Sequence, residues 1–253
     1  MPLQTVEPQR LYRQIAEQLR ALIVQGAFDA GARLPAERDL AQRLGVSRPS
    51  VREALIALEV EDWVEVRIGS GVYVLDRAQC ARRPVAPSEA VAPSGAVAPS
   101  GAVAPSEWGP LELIRARRVV EGETAAIAAR CGKRKDVDAM SRAIASMHEQ
   151  AERRVAPLDG DRAFHLAIAG ASGNTVLVET VQGFWDSRQG PIFMRLGGYF
   201  ETVTSWRVAI AEHEAIRDAI AAHDAGAARD AMHAHMDKSH RRFSVNWRRT
   251  KST

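Results

Sequence analysis

The 253-residue sequence predicts a mainly α fold in two parts, an N-terminal winged helix-turn-helix and a C-terminal all-helical bundle. Three observations carry this reading. Near the N-terminus, apolar residues recur at helical spacing in three short segments, and two β-like runs follow them. A stretch of Pro, Ala and Ser then interrupts the chain. Beyond it, Ala-rich amphipathic patterns continue to the C-terminus without an alternating strand pattern.

The elements follow in order. Residues 11–25 place Leu11, Ile15, Leu19, Leu22 and Ile23 on one stripe, and Gly26 and Gly31 punctuate its end. Residues 36–44 form a short second helix with Leu40, Ala41 and Leu44 on one face. Ser47 is a good N-cap, and Pro49 sits in the first turn, where its missing N–H does no harm. Val51, Ala54, Leu55 and Leu58 extend the third helix. The runs 63–66 and 72–75 read as a hairpin joined by Gly69-Ser70-Gly71. After the interruption, helical patterns cover 111–130, 136–152, 160–169, 175–188, 202–223 and 227–247. The expected domains are therefore 1–78, a linker 79–110, and 111–253.

The linker carries Val-Ala-Pro-Ser four times, at 85–88, 91–94, 97–100 and 103–106. Proline fixes φ and removes a donor, and Ala, Ser and Gly bury little, so an extended spacer is expected. Apolar residues make up 46% and charged residues 26%, which excludes a wholly disordered chain. Two cysteines, Cys80 and Cys131, are too few for a disulfide scaffold or a Cys-rich zinc module. No apolar leader or membrane-length run is present, so a cytoplasmic protein with no membrane partner is expected. The net charge of +3 neither demands nor excludes nucleic acid.

Basic character is local instead. Residues 1–80 hold ten arginines against eleven carboxylates, yet five of those arginines fall within 33–52. Arg48 and Arg52 are four apart at the start of the third helix, where side chains reach base edges in helix-turn-helix proteins. Ser47 and Ser50 offer hydroxyls to phosphate, and Arg38 lies on the preceding helix, which crosses the backbone. The string Arg33-Leu-Pro-Ala-Glu-Arg-Asp-Leu-Ala, the string Leu44-Gly-Val-Ser-Arg-Pro-Ser-Val-Arg-Glu-Ala-Leu and Gly69-Ser-Gly-Val-Tyr-Val resemble the DNA-binding domain of GntR-family transcription regulators. That resemblance implies DNA recognition by Arg38, Arg48 and Arg52, phosphate contact by Ser50 and entry of Gly69 into the minor groove. Some relatives carry a histidine before that glycine; here Ile68 stands there.

The second part holds all seven histidines, three of them in suggestive places. Asp161 and His165 are four apart on one helix, His213 follows Glu212 on a long helix, and His235 lies on the last. One carboxylate and three imidazoles can hold Zn, Ni, Mn or Fe with positions left open, and the donor set does not choose among them. By spacing alone, satisfied core histidines remain the commoner reading. The segments Arg117–Ala129, Asp161–Ala169, Ser172–Leu177, Glu212–Ile216 and Met232–Met236 resemble the FCD domain, the ligand-binding part of the FadR subfamily of GntR regulators. The resemblance implies that Asp161, His165, His213 and His235 bind a divalent metal ion and that a small organic acid effector completes its shell. Similarity to the hexuronate and sugar-acid regulators of this subfamily points to a sugar acid. Arg117 is either an i,i+4 salt bridge to Glu121 or an effector-binding cation. His233 is expected at the surface; Arg188, Arg195 and Arg207 are candidate carboxylate or hydroxyl partners, with surface charge the commoner reading for each.

The resulting expectation is a homodimeric, ligand-responsive repressor that binds a double-stranded DNA operator and is not an enzyme. The alternatives are a metal-dependent enzyme using the Asp/His set, or a constitutive DNA-binding protein with a structural metal. An enzyme would need a general base or nucleophile beside the metal, and no such residue announces itself.

Overall fold

In the computed structural model, residues 10–76 and 108–244 are described. The chain divides into two compact units, the second beginning at Gly109. The Val-Ala-Pro-Ser repeats and Cys80 lie outside the described residues.

The first unit contains α1 (Leu11–Val24), α2 (Glu37–Leu44), α3 (Arg48–Val60), β1 (Val64–Arg67) and β2 (Gly71–Val74). α1 buries Tyr12, Ile15, Ala16 and Leu19, one stripe of an amphipathic helix. Gly45 ends α2 in the left-handed region at φ 67°, which a glycine enters without steric cost. Ser47 caps α3, its Oγ accepting from the Ser50 N–H at 3.2 Å. α3 is the core helix, with every residue from Val51 to Glu59 buried. Glu59 is tolerated there because its Oε1 accepts the Val66 N–H at 2.9 Å, which ties α3 to β1.

The hairpin pairs Val64 with Val74, Val66 with Val72 and Arg67 with Gly71. Alternation sends the valines inward. The strands thus sit one residue nearer the turn than the sequence suggests, and the connection is Ile68-Gly69-Ser70. A third piece of chain joins the hairpin edge: Leu34 N–H donates to Val72 at 2.8 Å and Val74 N–H to Ala32 at 2.9 Å. This edge brings the Arg33 side chain against Gly71, where any Cβ would meet the guanidinium.

The second unit contains α4 (Pro110–Cys131), α5 (Arg134–Glu152), α6 (Leu158–Ala171), α7 (Thr175–Ser187), α8 (Pro191–Phe200), α9 (Val203–Ala221) and α10 (Ala225–Ser244). Pro110, expected to end the linker, is instead the first residue of α4. Small residues let these helices approach closely. Ala125, Ala128 and Ala129 are fully buried, and Met140, Ile144, Met147, Phe164, Ile216 and Met232 fill the space between helices. Gly160 lies where a Cβ would sit 3.0 Å from the Ala143 carbonyl, so α6 presses directly on α5.

α8 is not among the helical patterns expected from the sequence, and it holds Pro191 and the Gly197-Gly198 pair. Pro191 falls in the first helical turn, where it is harmless. Ile192, Phe193, Leu196 and Phe200 then bury one face, and Phe193 and Phe200 pack edge-on against Phe243 of α10. Burial of that face outweighs the unfavourable propensity of two glycines.

Candidate functional site

The first unit gathers part of its expected nucleic-acid face. Arg38, Arg48 and Gly69 line one groove of about 270 Å³ between α2, α3 and the hairpin, together with Arg33 and Arg67. The Arg38 side chain is 81% exposed and pairs with Asp39 at 3.4 Å. The Arg48 side chain is 41% exposed. Ser50 shares a 2.8 Å hydroxyl hydrogen bond with Ser47 at the start of α3. Gly69 adopts φ 77° at the exposed tip, next to Ile68.

Arg52 departs from expectation. Its side chain is 1% exposed, and its guanidinium donates to both oxygens of Glu37 at 2.7, 2.9 and 3.2 Å. Arg48 Nε approaches the same carboxylate at 3.4 Å. The four-residue spacing does put both arginines on one side, but only Arg48 reaches the groove. Arg52 is a buried strut between α3 and α2, because a carboxylate waits inside at Glu37. Periodicity within α3 could not show that, since Glu37 lies on another helix.

The second unit brings Asp161, His165, His213 and His235 together from α6, α9 and α10. One ligand atom from each lies within 4.8 Å of the others, and all four residues are buried. Nε2 of His213 is 3.0 Å from Oδ1 of Asp161, Nε2 of His165 is 3.4 Å from that oxygen, and the two Nε2 atoms are 3.4 Å apart. Donors about 2.1 Å from a common ion stand roughly 3.0–3.4 Å apart, so these separations suit a first coordination shell.

The surroundings orient those donors. Nδ1 of His165 meets Glu121 Oε2. Nδ1 of His235 meets Glu212 Oε2 at 2.8 Å. With each Nδ1–H given to a carboxylate, Nε2 is left as a lone pair facing the cluster. Oδ1 of Asp161 is then buried without a hydrogen-bond partner. Buried acceptors facing one another are costly unless a cation or a proton joins them, so the residues fit a divalent ion.

The electrostatics agree for two of the three imidazoles. Burial opposes charge on Glu121, but Arg117 and His165 outweigh it and bring its pKa down to about 2. Burial also opposes charge on Asp161, yet the His165 and His213 imidazoles and then Arg188 hold it well below the usual carboxylate range. Burial lowers His213, and lowers His235 further with help from the neighbouring imidazoles. His165 goes the other way: burial pulls its pKa down, but Glu121 and Asp161 more than offset that. Two imidazoles are thus held neutral, as ligation requires.

Arg117 makes the i,i+4 salt bridge to Glu121. Nε donates to Glu121 at 2.5 Å, while Nη2 is buried without a partner and the guanidinium lies 4.7 Å from the Trp185 ring centre. Arg188 corrects its expectation as a surface charge. It is 9% exposed and donates to Asp161 Oδ2 at 2.8 Å and to Glu201 at 3.2 Å. Arg195 and Arg207 are exposed as expected. His233 is half-buried, packed over Gly122 of α4. Beside the cluster is a cavity of about 440 Å³ whose wall includes Arg162, Trp185, Arg188, Phe193 and Glu201. None of the four cluster residues lines it; Arg188 and Trp185 stand between. Sequence reasoning missed Glu201 and missed Glu121 and Glu212 as partners of histidines. The Glu212-His213 dipeptide was the available signal for Glu212, but its partner is 23 residues away.

Comparison with known proteins places both units. Residues 11–74 match the family described as "Bacterial regulatory proteins, gntR family", and residues 112–238 match the FCD domain. The chain is similar to the Uxu operon transcriptional regulator of Escherichia coli, 34% identical over 93% of this chain and 87% of that protein. It is 33% identical to the Exu regulon transcriptional regulator of Escherichia coli, over 94% of this chain and 86% of that one. The Uxu operon regulator of Haemophilus influenzae is 32% identical over 90% and 80%.

Proposed function

The chain belongs to the gntR family of bacterial regulatory proteins, carries an FCD domain and is a transcription regulator rather than an enzyme, and from that premise we propose a cytoplasmic homodimeric repressor that releases its operator when a small organic acid binds beside a metal ion. The observation that carries the proposal is the buried cluster of Asp161, His165, His213 and His235, with carboxylates set behind two of its imidazoles. These four residues would hold Zn, Ni, Mn or Fe, which would act as a Lewis acid for an effector carboxylate. Arg117 is assigned to the effector, because its Nη2 is a buried donor without a partner.

A sugar acid is the proposed effector class. Its support is the similarity to the Uxu and Exu regulators and a cavity wall that holds Trp185 and Phe193 together with Arg162, Arg188, Gln189 and Glu201. On the DNA side, Arg38 and Arg48 are proposed to read bases, Ser50 to bind phosphate and Gly69 to let the hairpin tip approach the minor groove. Two recognition helices in a dimer would bind a pseudo-palindromic operator. Among the described residues no helix is long and apolar enough to cross a membrane.

A thermal-shift screen of uronates and aldonates, run with and without chelator, tests the proposal. A ligand that binds only the folded state must raise the melting temperature. The expected result is stabilisation by one acid class that chelator abolishes, with loss of operator affinity under the same conditions. Stabilisation that persists in chelator would refute the metal-linked effector site.

A further inference from the structure

Asp161 divides its two oxygens between different partners. Oδ1 faces the imidazoles of His213 and His165 at 3.0 and 3.4 Å. Oδ2 accepts from Nη1 of Arg188 at 2.8 Å. Arg188 is itself fixed from several sides. Nη2 donates to Glu201 at 3.2 Å, and the guanidinium lies 4.5 Å from the Trp185 ring centre and 4.9 Å from that of Phe193. Mobile surface ion pairs have none of this enclosure. Arg162, the other arginine of the cavity wall, is held by Asp186 at 2.8 Å instead.

A buried carboxylate beside a cation can ligate it through one oxygen or through both. A charge-assisted donor on one oxygen removes that choice, because ligation through Oδ2 would break the hydrogen bond and leave the buried Nη1 of Arg188 without its acceptor. We propose that Arg188 is a positioning residue of the metal centre, holding Oδ2 so that Asp161 offers Oδ1 alone to the ion and coordination positions stay open. The inference rests on the metal reading above and adds to it the residue that sets how Asp161 ligates. Arg188 also walls the cavity, so the cation that orients Asp161 is one of the two arginines an acid entering there would meet.

Cobalt(II) serves as the probe in the full-length protein, since its visible absorption is intense at low coordination number and weak at high. Affinity is read by competition with a chromophoric chelator, and folding is checked by melting in excess chelator. In Arg188→Met, cobalt binding weakens roughly 10–100-fold and the absorption loses intensity as Asp161 turns both oxygens to the ion. Arg188→Lys regains part of the affinity but not the spectrum, because a point charge lacks the planar fork. Glu201→Gln keeps both, since Arg188 retains Asp161. Wild-type affinity and spectrum in Arg188→Met overturn the proposal, as does a Glu201→Gln variant that loses as much as Arg188→Met. If Arg188→Met does not fold, Arg188→Lys decides: an unchanged spectrum overturns the proposal and a weakened one supports it. A wild-type chain that takes up no cobalt overturns the metal reading and this inference with it.

Discussion

Replacing Arg52 should destabilise the first unit before it touches DNA recognition. The Arg52 side chain is 1% exposed and bidentate on Glu37, whose side chain is 7% exposed. Removing one partner of a buried ion pair strands the other and costs about 3–5 kcal/mol. Glu37 keeps Arg48 at 3.4 Å, and that arginine reaches solvent, so part of the loss is recovered. Arg52→Met, which roughly preserves volume, is therefore expected to cost about 2–4 kcal/mol. For a unit of this size that is a fall in melting temperature of very roughly 10–25 °C. Calorimetry of the full-length protein would show the transition of the first unit moving while that of the second stays. Glu37→Gln together with Arg52→Met should recover much of the loss, because no lone buried charge remains. Arg48→Ala should do the reverse, leaving the transition near wild type and weakening operator binding by about 1–3 kcal/mol at fixed salt. Wild-type stability in Arg52→Met, combined with lost operator affinity well below its melting temperature, would refute the strut and restore Arg52 as a base reader.

His213→Ala should lose most bound metal and the effector response while operator binding in the absence of effector stays largely intact; metal content, effector affinity and operator affinity on one preparation check this, and a metal-free variant that still responds breaks the link between metal and ligand. Metal affinity should fall with acidity, because imidazoles must be neutral to ligate; the raised pKa of His165 places the onset above its ordinary value of 6.5, and zinc titrations between pH 8 and 5.5 would show it. Glu121 works in the opposite sense on the metal-free protein. Its pKa is depressed from 4.5 to about 2, so its charge contributes about 3 kcal/mol that is fully present above pH 4.5 and lost as pH falls toward 2. Melts of wild type and Glu121→Gln in chelator should therefore converge below pH 4.5, and a pH-independent gap would contradict this. Deleting residues 91–102, two of the Val-Ala-Pro-Ser repeats, should change stability by about 1 kcal/mol or less, and gross unfolding would show that the repeats pack on a domain.

Local regularities were legible in the chain itself. The apolar stripe of α1, the Ser47 cap, the inward valines of the hairpin and the i,i+4 pair Asp161–His165 all follow from short-range periodicity, and the resemblance to known regulators added His213 and His235 to that pair. Partners across helices were not legible. Glu121 meets His165 across 44 residues, Asp161 meets Arg188 across 27, and Glu37 meets Arg52 across 15 from a different helix. Periodicity within one helix says which side a residue faces but not which charge waits there. That is decided by packing: once helices close over an arginine, as over Arg52 in one unit and Arg188 in the other, it has no water to turn to and must take the nearest carboxylate. Tertiary structure therefore made Arg52 a strut and Arg188 the holder of a metal ligand, although the sequence presents both only as surface-like arginines on amphipathic helices.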